Sequence, residues 1–371
     1  MLIGSAALAG LRPRSAYPQD APRGLTAPRP LPPFNPAAAS CAAPSDLRKT
    51  LVFLQDNTRE FMQGAARGIA AAARDRGLAF EIALANNDPA AMVDHVRQAI
   101  EARMGALIVA PINVATLAPV LRHYIAQGGY VGAIVPPPAT TILNAPQLAT
   151  GQVLGDAAAT YIRSRLGGDA RVVLLTHDTN QFLARRFVAI RASLKGVPGA
   201  RIIADISPRT VDKQGGYATM KTVLLAHSRI DVVLGADTVV LGALAALREA
   251  GNVRNDQFLG GIDGEPEALA EMRKGGPYKA SVSLASPIFG YALGQNAADW
   301  LDGRSVPQGL EIQPTLLSAD SLAQFERDTA DPAEVFRDPK SRDVYLKSYG
   351  NICYYSRSDY VDFAWSSEVA R

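Results

Sequence analysis

Two patterns of apolar residues alternate along the chain from Thr50 onward. Short, uninterrupted apolar runs such as Thr50–Gln55 (TLVFLQ) and Ala106–Pro111 (ALIVAP) are typical of strands buried on both faces of a parallel sheet. Between them lie longer segments with the helical period. One of these, Phe61–Arg76, stops at Gly77, a residue type that commonly ends a helix. The alternation predicts parallel sheets covered by helices on both faces.

The first half of the pattern is regular up to a proline-rich break after residue 135. The predicted strands are Thr50–Gln55, Ala79–Leu84, Ala106–Pro111 and Tyr130–Val135, and the predicted helices are Phe61–Arg76, Asp88–Ala102 and Thr116–Gln127. Pro89 falls in the first turn of the second helix, where its missing N–H group costs nothing.

The same alternation restarts with a helix at Gly151. The predicted helices are 151–166, 182–194, 212–226, 238–250, 265–274 and 288–302, and the predicted strands are 171–176, 201–206, 231–235, 258–262, 280–284 and a short one from 311. We therefore predict two doubly wound α/β lobes. Ligands of open α/β sheets bind beyond the carboxyl ends of the strands, so the cleft between the lobes is the expected site.

Composition supports a globular protein of two domains. The chain has 371 residues, 48% of them hydrophobic and 20% charged, which is ordinary globular usage. The net charge is only +3, from 38 basic and 35 acidic residues. Nucleic-acid binding calls for a concentrated basic surplus, so this balance argues against it. No apolar run reaches the roughly 20 residues of a membrane span.

The first 47 residues read as a leader outside the two lobes. Met1–Leu11 is small and apolar and precedes Arg12-Pro13-Arg14, like the end of a secretory signal, but no basic stretch comes before it. Ser15–Ala43 is rich in proline and alanine, which indicates a disordered or extended linker. We expect an exported protein with an incomplete signal peptide. A plain flexible tail without export meaning is the alternative.

Short phrases at the junctions of the predicted elements form a recognisable series. They are Phe61-Met62, Ala110-Pro111-Ile112-Asn113, Gly151-Gln152-Val153-Leu154-Gly155, Ala184-Arg185-Arg186, Gly235-Ala236-Asp237 with Leu241-Gly242-Ala243-Leu244, and Gly260-Gly261-Ile262-Asp263-Gly264. In this order, over about Thr50 to Leu317, the chain resembles the type I periplasmic sugar-binding proteins. These are the ribose- and galactose-binding relatives, whose fold is shared by the effector domains of LacI-type repressors.

The resemblance implies two lobes joined by a three-segment hinge near Thr150-Gly151, Leu284-Ala285 and Thr315–Ser318. The first lobe is then 48–150 plus 285–316, the second is 151–284, and 317–371 is a C-terminal extension. It also implies a periplasmic, monomeric receptor of an ABC importer. Such a receptor binds a sugar-like or polyol ligand by hinge closure and delivers it unaltered to an inner-membrane permease, with no cofactor and no enzymatic activity.

A ligand-sensing domain of a signalling or transcription-regulatory system is the alternative function. A LacI-type repressor would carry a helix-turn-helix before the first strand, where the proline-rich leader stands. An enzyme on this architecture would need a catalytic constellation. The four histidines do not cluster, and no nucleophile elbow, metal motif or dinucleotide motif occurs. We therefore predict no catalytic residue and no metal ligand, His177-Asp178 included.

The loop after the first strand carries the candidate ligand residues of the first lobe. By resemblance, Arg59 and Phe61 lie in the pocket, with Asp56 and Asn57 beside them. An aromatic face suits the C–H side of a sugar ring, and Asn and Asp side chains suit pairs of hydroxyls. The alternative is that Asp56-Asn57-Thr58 forms only a turn and a helix cap.

Three residues of the second lobe complete the candidate site. Asp263 follows a buried strand and matches the family's ligand-binding aspartate, Asp237 matches a second aspartate, and Arg186 matches an arginine that faces the cleft. Each has a structural alternative: Asp263 and Asp237 as helix caps and Arg186 as a surface residue. Arg185 and Phe182 are near alternatives to Arg186, because the alignment of a helix can slip by one position.

Several polar positions of the family are absent. Val135-Pro136-Pro137-Pro138 stands where the sugar binders carry Asp-Arg, Leu284 replaces a glutamine near the second hinge, and Ala236 replaces an asparagine. Unpaired hydroxyls would cost about 1–3 kcal/mol each. We therefore expect a ligand less polar than ribose or glucose, or different in shape. A small polyol, a sugar derivative and an acid held by Arg59 and Arg186 all remain open.

Two further features concern the ends of the chain. The tyrosine-rich extension after Leu317 is either a segment packed on the lobes or an interface for a partner or a second copy. Cys41 and Cys353 are the only cysteines, too few for a structural zinc site, and export would allow a disulfide between them. A lipid anchor on Cys41 is the weaker reading, because no apolar signal segment adjoins it.

Overall fold

The computed structural model describes residues 30–134, 138–178, 183–363, 365–366 and 368. The strands are β1 (Arg48–Gln55), β2 (Ala79–Leu84), β3 (Met104–Val109), β4 (Tyr130–Ile134), β5 (Thr141–Asn144), β6 (Asp169–Leu175), β7 (Gly199–Ile206), β8 (Val232–Leu234), β9 (Phe258–Asp263), β10 (Tyr278–Ser283), β11 (Gly309–Ile312), β12 (Thr315–Leu317) and β13 (Leu346–Tyr349).

Helices alternate with these strands throughout the two lobes. They are α1 (Glu60–Asp75), α2 (Pro89–Glu101), α3 (Val114–Ala126), α4 (Gln147–Arg165), α5 (Ala184–Lys195), α6 (Lys213–Ala226), α7 (Asp237–Glu249), α8 (Pro266–Arg273), α9 (Ser286–Leu301), α10 (Leu322–Ala330), α11 (Pro332–Arg337) and α12 (Pro339–Tyr345), with a 3-10 turn at Tyr354–Asp359. Among the described residues, no helix has the length and apolar character needed to cross a membrane.

The strands form two sheets. The first has the order β13-β11-β5-β4-β3-β1-β2 and the second the order β12-β10-β9-β8-β6-β7. Neighbouring strands are parallel, except that β13 runs antiparallel to β11 and β12 antiparallel to β10. The predicted fold class, two doubly wound parallel-sheet lobes, is confirmed. In each lobe the carboxyl ends of the central strands open on the loops that carry the candidate site residues.

Close helix packing fixes the lobes, and glycines make it possible. Helices α1 and α9 pack together in the first lobe and α4 and α5 in the second. A Cβ atom at Gly68 would lie 1.9 Å from the carbonyl oxygen of Pro287, and one at Gly151 would lie 1.9 Å from that of Arg186. Only a residue without a side chain fits these two contacts.

Three boundaries differ from the sequence prediction. Strand β5 was missed, because TILN is short and follows the proline run. Helix α4 begins at Gln147 rather than at Gly151. Strand β12 (Thr315–Leu317), which the prediction divided between the first lobe and the extension, pairs with β10 in the second sheet. The crossing from β11 to β12 therefore occurs at Gln313-Pro314, because proline lacks the N–H group that would continue the ladder.

The described part of the leader and the C-terminal extension meet on the first lobe. Strand β13 of the extension adds to the sheet beside β11, and Pro33 of the leader bridges Tyr349 at the end of β13. A disulfide joins Cys41 to Cys353, with their Cα atoms 6.0 Å apart. The described part of the leader is thus extended and packed against the extension. Met1–Leu11 and the rest of the leader before residue 30 lie outside the described residues.

Candidate functional site

The loop between β1 and α1 is held by its own polar side chains. Asp56 accepts hydrogen bonds from the backbone N–H of Asn57 (2.8 Å) and from Arg59 Nη2 (3.1 Å). Asn57 donates to Asn87 Oδ1 (3.0 Å) and accepts from the backbone N–H of Arg59 (3.1 Å). Arg59 is the residue at the start of α1, and no side chain caps this helix. The loop is therefore a turn held by hydrogen bonds among its own residues and Asn87, and its side chains do not cap α1.

Arg59 and Phe61 form the exposed edge of this loop. The Arg59 side chain is 56% exposed, and its guanidinium carbon lies 6.0 Å from the centre of the Phe61 ring. The half-buried Phe61 ring in turn packs at 5.6 Å against Phe289 of α9. An apolar face flanked by a cation and hydrogen-bond acceptors is thereby presented by the first lobe.

Arg186 is buried in the second lobe, and its guanidinium makes only part of the hydrogen bonds that it can donate. Its residue exposure is 5%, and its Nε atom donates to Gln147 Oε1 at 2.8 Å. Its two Nη groups make no hydrogen bond to any described residue, and they lie in the field of Asp263. Burial lowers the pKa of the Arg186 guanidinium from its ordinary value. Donors that the described residues leave unused can donate to the oxygen atoms of a ligand.

Asp263 lies at the end of β9 in a conformation that costs energy. Its φ angle is 121°, a region that residues with a Cβ atom rarely adopt. Its carboxylate makes no hydrogen bond to another described residue. Burial raises the pKa of Asp263 to about 6; the charges of Arg186 and Arg59 oppose this rise, and that of Asp237 adds to it. Arg59 of the first lobe is thus near enough for its charge to act on Asp263 of the second lobe.

Asp237 has a different environment from the one the sequence predicts. It is fully buried, and it accepts hydrogen bonds from Tyr278 Oη (2.6 Å), Ser281 Oγ (2.7 Å) and the backbone N–H of Glu265 (2.9 Å). Burial raises the pKa of its carboxyl group. Because every oxygen of Asp237 is occupied within the protein, its position supports the loop that carries Asp263 and does not face the cleft.

Three neighbours of the site were not among the sequence candidates. Gln147 holds Arg186, as described above. Glu265 follows Asp263 by two residues, and burial together with the charges of Asp263 and Asp237 raises its pKa to about 8. His177, for which the sequence predicts no catalytic role, has a buried Nδ1 atom without a hydrogen-bond partner among the described residues, and burial and the charge of Arg186 lower its pKa.

Several residues considered in the sequence analysis are not part of the described site. Phe182 and residues 135–137 of the proline run lie outside the described residues. Arg185 is exposed, whereas Arg186 points inward. Within the described chain, no group of three or more His, Cys, Asp or Glu side chains could hold a metal ion. The described site therefore offers hydrogen-bond donors and acceptors around an aromatic face.

Two α/β lobes that are joined by several chain crossings and carry polar and aromatic side chains at their strand ends are the architecture of solute receptors that close on a ligand. Residues 51–305 match the family described as periplasmic binding protein domain. The chain belongs to this family of periplasmic binding proteins, and the resemblance found in the sequence is confirmed.

Individual relatives agree with this assignment. The ribose import binding protein of Bacillus subtilis (strain 168) is 26% identical over 272 residues, which cover 66% of this chain and 79% of the relative. A Mycobacterium smegmatis protein in complex with β-D-fucofuranose has a TM-score of 0.67 and 20% identity, covering 81% of this chain and 99% of that chain. An ABC transporter solute-binding protein from Bacillus halodurans C-125 with bound myo-inositol has a TM-score of 0.66 and 18% identity, covering 76% and 99%.

Proposed function

We propose that this protein is the solute-binding receptor of an ABC importer. It binds a small, polyhydroxylated ligand between its lobes and releases it chemically unaltered to a permease. The observation that carries this proposal is the pair of Arg186 and Asp263: the guanidinium is buried, the half-buried carboxylate lies within its electrostatic influence, and the Arg186 Nη groups and the Asp263 carboxylate have no hydrogen-bond partner among the described residues. Adjacent hydroxyls of a sugar or polyol would satisfy both at once.

The surroundings of this pair support a ligand with one apolar face. Phe61 offers an aromatic surface, and Arg59 and Asp56 flank it. Leu284 and Ala236 supply no polar atoms where the family's sugar binders have them, which favours a polyol or a sugar derivative over a free hexose or pentose. Two of the relatives described above hold a cyclic polyol and a deoxy sugar, which fits this expectation, whereas the Bacillus subtilis relative is named for ribose import, so D-ribose belongs among the compounds to be tested. We expect the receptor to act as a monomer in the periplasm.

In this mechanism the affinity for the ligand comes from closure of the two lobes around it. A ligand held by Asp263 and Arg186 in one lobe and by Arg59 and Phe61 in the other stabilises the closed form relative to the open form. Water leaves the cleft as it closes, and each charge-assisted hydrogen bond then becomes stronger. No group in the described site needs to gain or lose a covalent bond.

A thermal-shift screen tests the proposal. D-ribose, L-arabinose, myo-inositol, glycerol, 6-deoxy sugars and small carboxylic acids are each added to the purified protein. We expect one polyhydroxylated class to raise the Tm by several degrees at concentrations well above its Kd, through mass action. Nuclear magnetic resonance of the ligand recovered after overnight incubation should show it unchanged. Stabilisation by none of the polyhydroxylated compounds, or turnover of the bound one, would overturn the proposal.

A further inference from the structure

The last described residues of the chain reach from the first lobe to the second. We call residues 361–366 and 368 the C-terminal strap, of which 364 lies outside the described residues. Val361 forms a bridge with Ala139. The Trp365 ring packs at 5.2 Å from that of Tyr349 in β13, and Ser366 Oγ accepts a hydrogen bond from Asn144 Nδ2 at 3.4 Å. These contacts fix the strap to the sheet of the first lobe.

The end of the strap is hydrogen-bonded to the first turn of helix α4 of the second lobe. The Glu368 carboxylate accepts hydrogen bonds from the backbone N–H groups of Leu148 (3.2 Å) and Ala149 (2.7 Å). These are first-turn donors of α4, which follows Pro146 and has no side-chain cap of its own. A carboxylate is the group that a helix N-terminus favours, both for its lone pairs and for its charge. Glu368 is therefore the cap of α4, supplied from the far end of the chain.

The capped turn also holds the arginine of the proposed ligand site. Gln147 is the first residue of α4, and its amide is fixed at both ends. Its Nε2 donates to the carbonyl oxygen of Ala145 (2.9 Å), and its Oε1 accepts from Arg186 Nε (2.8 Å). The hydrogen bond to Nε restricts the orientation of the planar guanidinium, whose Nη donors make no hydrogen bond to a described residue.

We propose that Glu368 is a positioning residue of the ligand site: by fixing the first turn of α4 it fixes Gln147, and through Gln147 the direction of the Arg186 guanidinium. The C-terminal extension thereby contributes to the geometry of the ligand site and does not only pack on the lobes. This inference rests on the proposed function in one respect, namely that Arg186 binds the ligand.

The first test needs no ligand. The Nε–Hε signal of Arg186 in a ¹H–¹⁵N spectrum of the unliganded protein is assigned by its loss in Arg186→Lys. We expect Glu368→Ala and Gln147→Ala to shift this signal and to speed its exchange with water by about tenfold or more. Glu334→Ala is the matched control, because it removes an exposed carboxylate of the extension, paired with Arg337, away from α4. If Gln147→Ala moves the signal and Glu368→Ala does not, the proposal is wrong.

The second test separates positioning from stability. Calorimetry measures the Kd of the tightest-binding compound among D-ribose, L-arabinose and myo-inositol. We expect Glu368→Ala to weaken binding about tenfold, as the loss of one well-placed charged hydrogen bond does. We expect Glu368→Gln to recover part of the loss and Glu334→Ala to change nothing. A lower Tm with unchanged Kd in Glu368→Ala would mean a purely structural cap and would overturn the proposal.

The two tests fail independently. If the wild-type protein binds none of the three compounds, the result counts against the proposed function, and the unliganded spectrum still decides whether Glu368 orients Arg186. If the compounds bind and the Nε–Hε signal of Arg186 is the same in Glu368→Ala as in the wild type, the receptor function stands and the proposed role of Glu368 is refuted.

Discussion

Asp237 and Asp263 lie next to each other in the second lobe, yet their carboxylates have opposite surroundings. The first is enclosed by Tyr278, Ser281 and the Glu265 backbone, whereas the second has no hydrogen-bond partner among the described residues. Partner groups left unpaired in the interior are costly, and a missing ligand contact costs nothing in the unliganded protein. The same change at the two positions therefore has opposite consequences.

We predict that Asp237→Ala lowers the free energy of unfolding by about 2–4 kcal/mol. Asp263→Ala should leave stability nearly unchanged but weaken ligand binding at least tenfold, since a charge-assisted contact is lost. Urea unfolding and calorimetry measure the two effects, with Asp94→Ala as an exposed control whose side chain is 62% accessible. A stable Asp237→Ala that has lost binding would contradict this division of roles.

Glu265 makes the stability of the second lobe dependent on pH. Its pKa rises to about 8 through burial and the charges of Asp263 and Asp237, so the folded protein holds this proton more tightly than the unfolded chain does. The stabilisation is complete below the unfolded pKa and is lost as pH rises through the folded pKa. We predict a fall on the order of 2 kcal/mol between pH 6.5, above the pKa of Asp263, and pH 8.5, and we expect Glu265→Gln to remove it.

Urea unfolding at several pH values measures this fall. Glu267→Gln is the matched control, because its exposed carboxylate pairs with Lys213 nearby. Equal pH slopes in the wild type and in Glu265→Gln would show that Glu265 is not the group responsible.

At the scale of single elements, the packing of α4 on α5 sets the geometry of the ligand site. A Cβ atom at Gly151 would meet the carbonyl oxygen of Arg186 at 1.9 Å. We predict that Gly151→Ala costs about 1–3 kcal/mol of stability, as overpacking does, and that it also weakens ligand binding. Gly276→Ala is the control, since a Cβ atom there meets no heavy atom within 4 Å. Thermal unfolding and calorimetry compare the two, and equal stability would refute the close contact.

The elements that sequence reasoning placed correctly are those with a strong local pattern. Local sequence alone predicts β1 and β3 from their uninterrupted apolar runs, and α1 from its helical period. Strand β5 is too short to show a recognisable apolar pattern. Its position between β4 and β11 is set by tertiary contacts. The start of α4 was missed for a similar reason: its cap, Glu368, is separated from it by more than half the chain.

The candidate site shows the same division. The loop from Asp56 to Phe61 and the residues Arg186 and Asp263 stand at strand ends or helix starts, where a family pattern fixes them. Asp237 has the same local signature, and only the side chains around it decide that it faces inward. Gln147 and Glu265 carry no motif and become candidates only when their neighbours in space are known.

At the scale of the whole molecule, the disulfide between Cys41 and Cys353 joins segments 312 residues apart in the sequence. In the chain-entropy account, closing so long a loop stabilises the folded state by up to about 5 kcal/mol. We predict that reduction, or the double variant Cys41→Ala/Cys353→Ala, lowers the Tm by several degrees and leaves ligand affinity nearly unchanged, since the bond lies away from the cleft. Scanning calorimetry with and without a reductant measures this, and an unaltered Tm would contradict it.

The first sheet draws its strands from both ends of the chain, whereas β6 to β10 of the second sheet come from one continuous stretch. A chain that emerges from a translocation pore N-terminus first can therefore assemble most of the second lobe while the first still lacks β11 and β13. The first lobe is completed only when residues 309–353 are available, since β11, the edge strand β13 and the disulfide depend on them. Folding should thus proceed from the middle of the sequence outward, with the second lobe largely formed before the first lobe is complete.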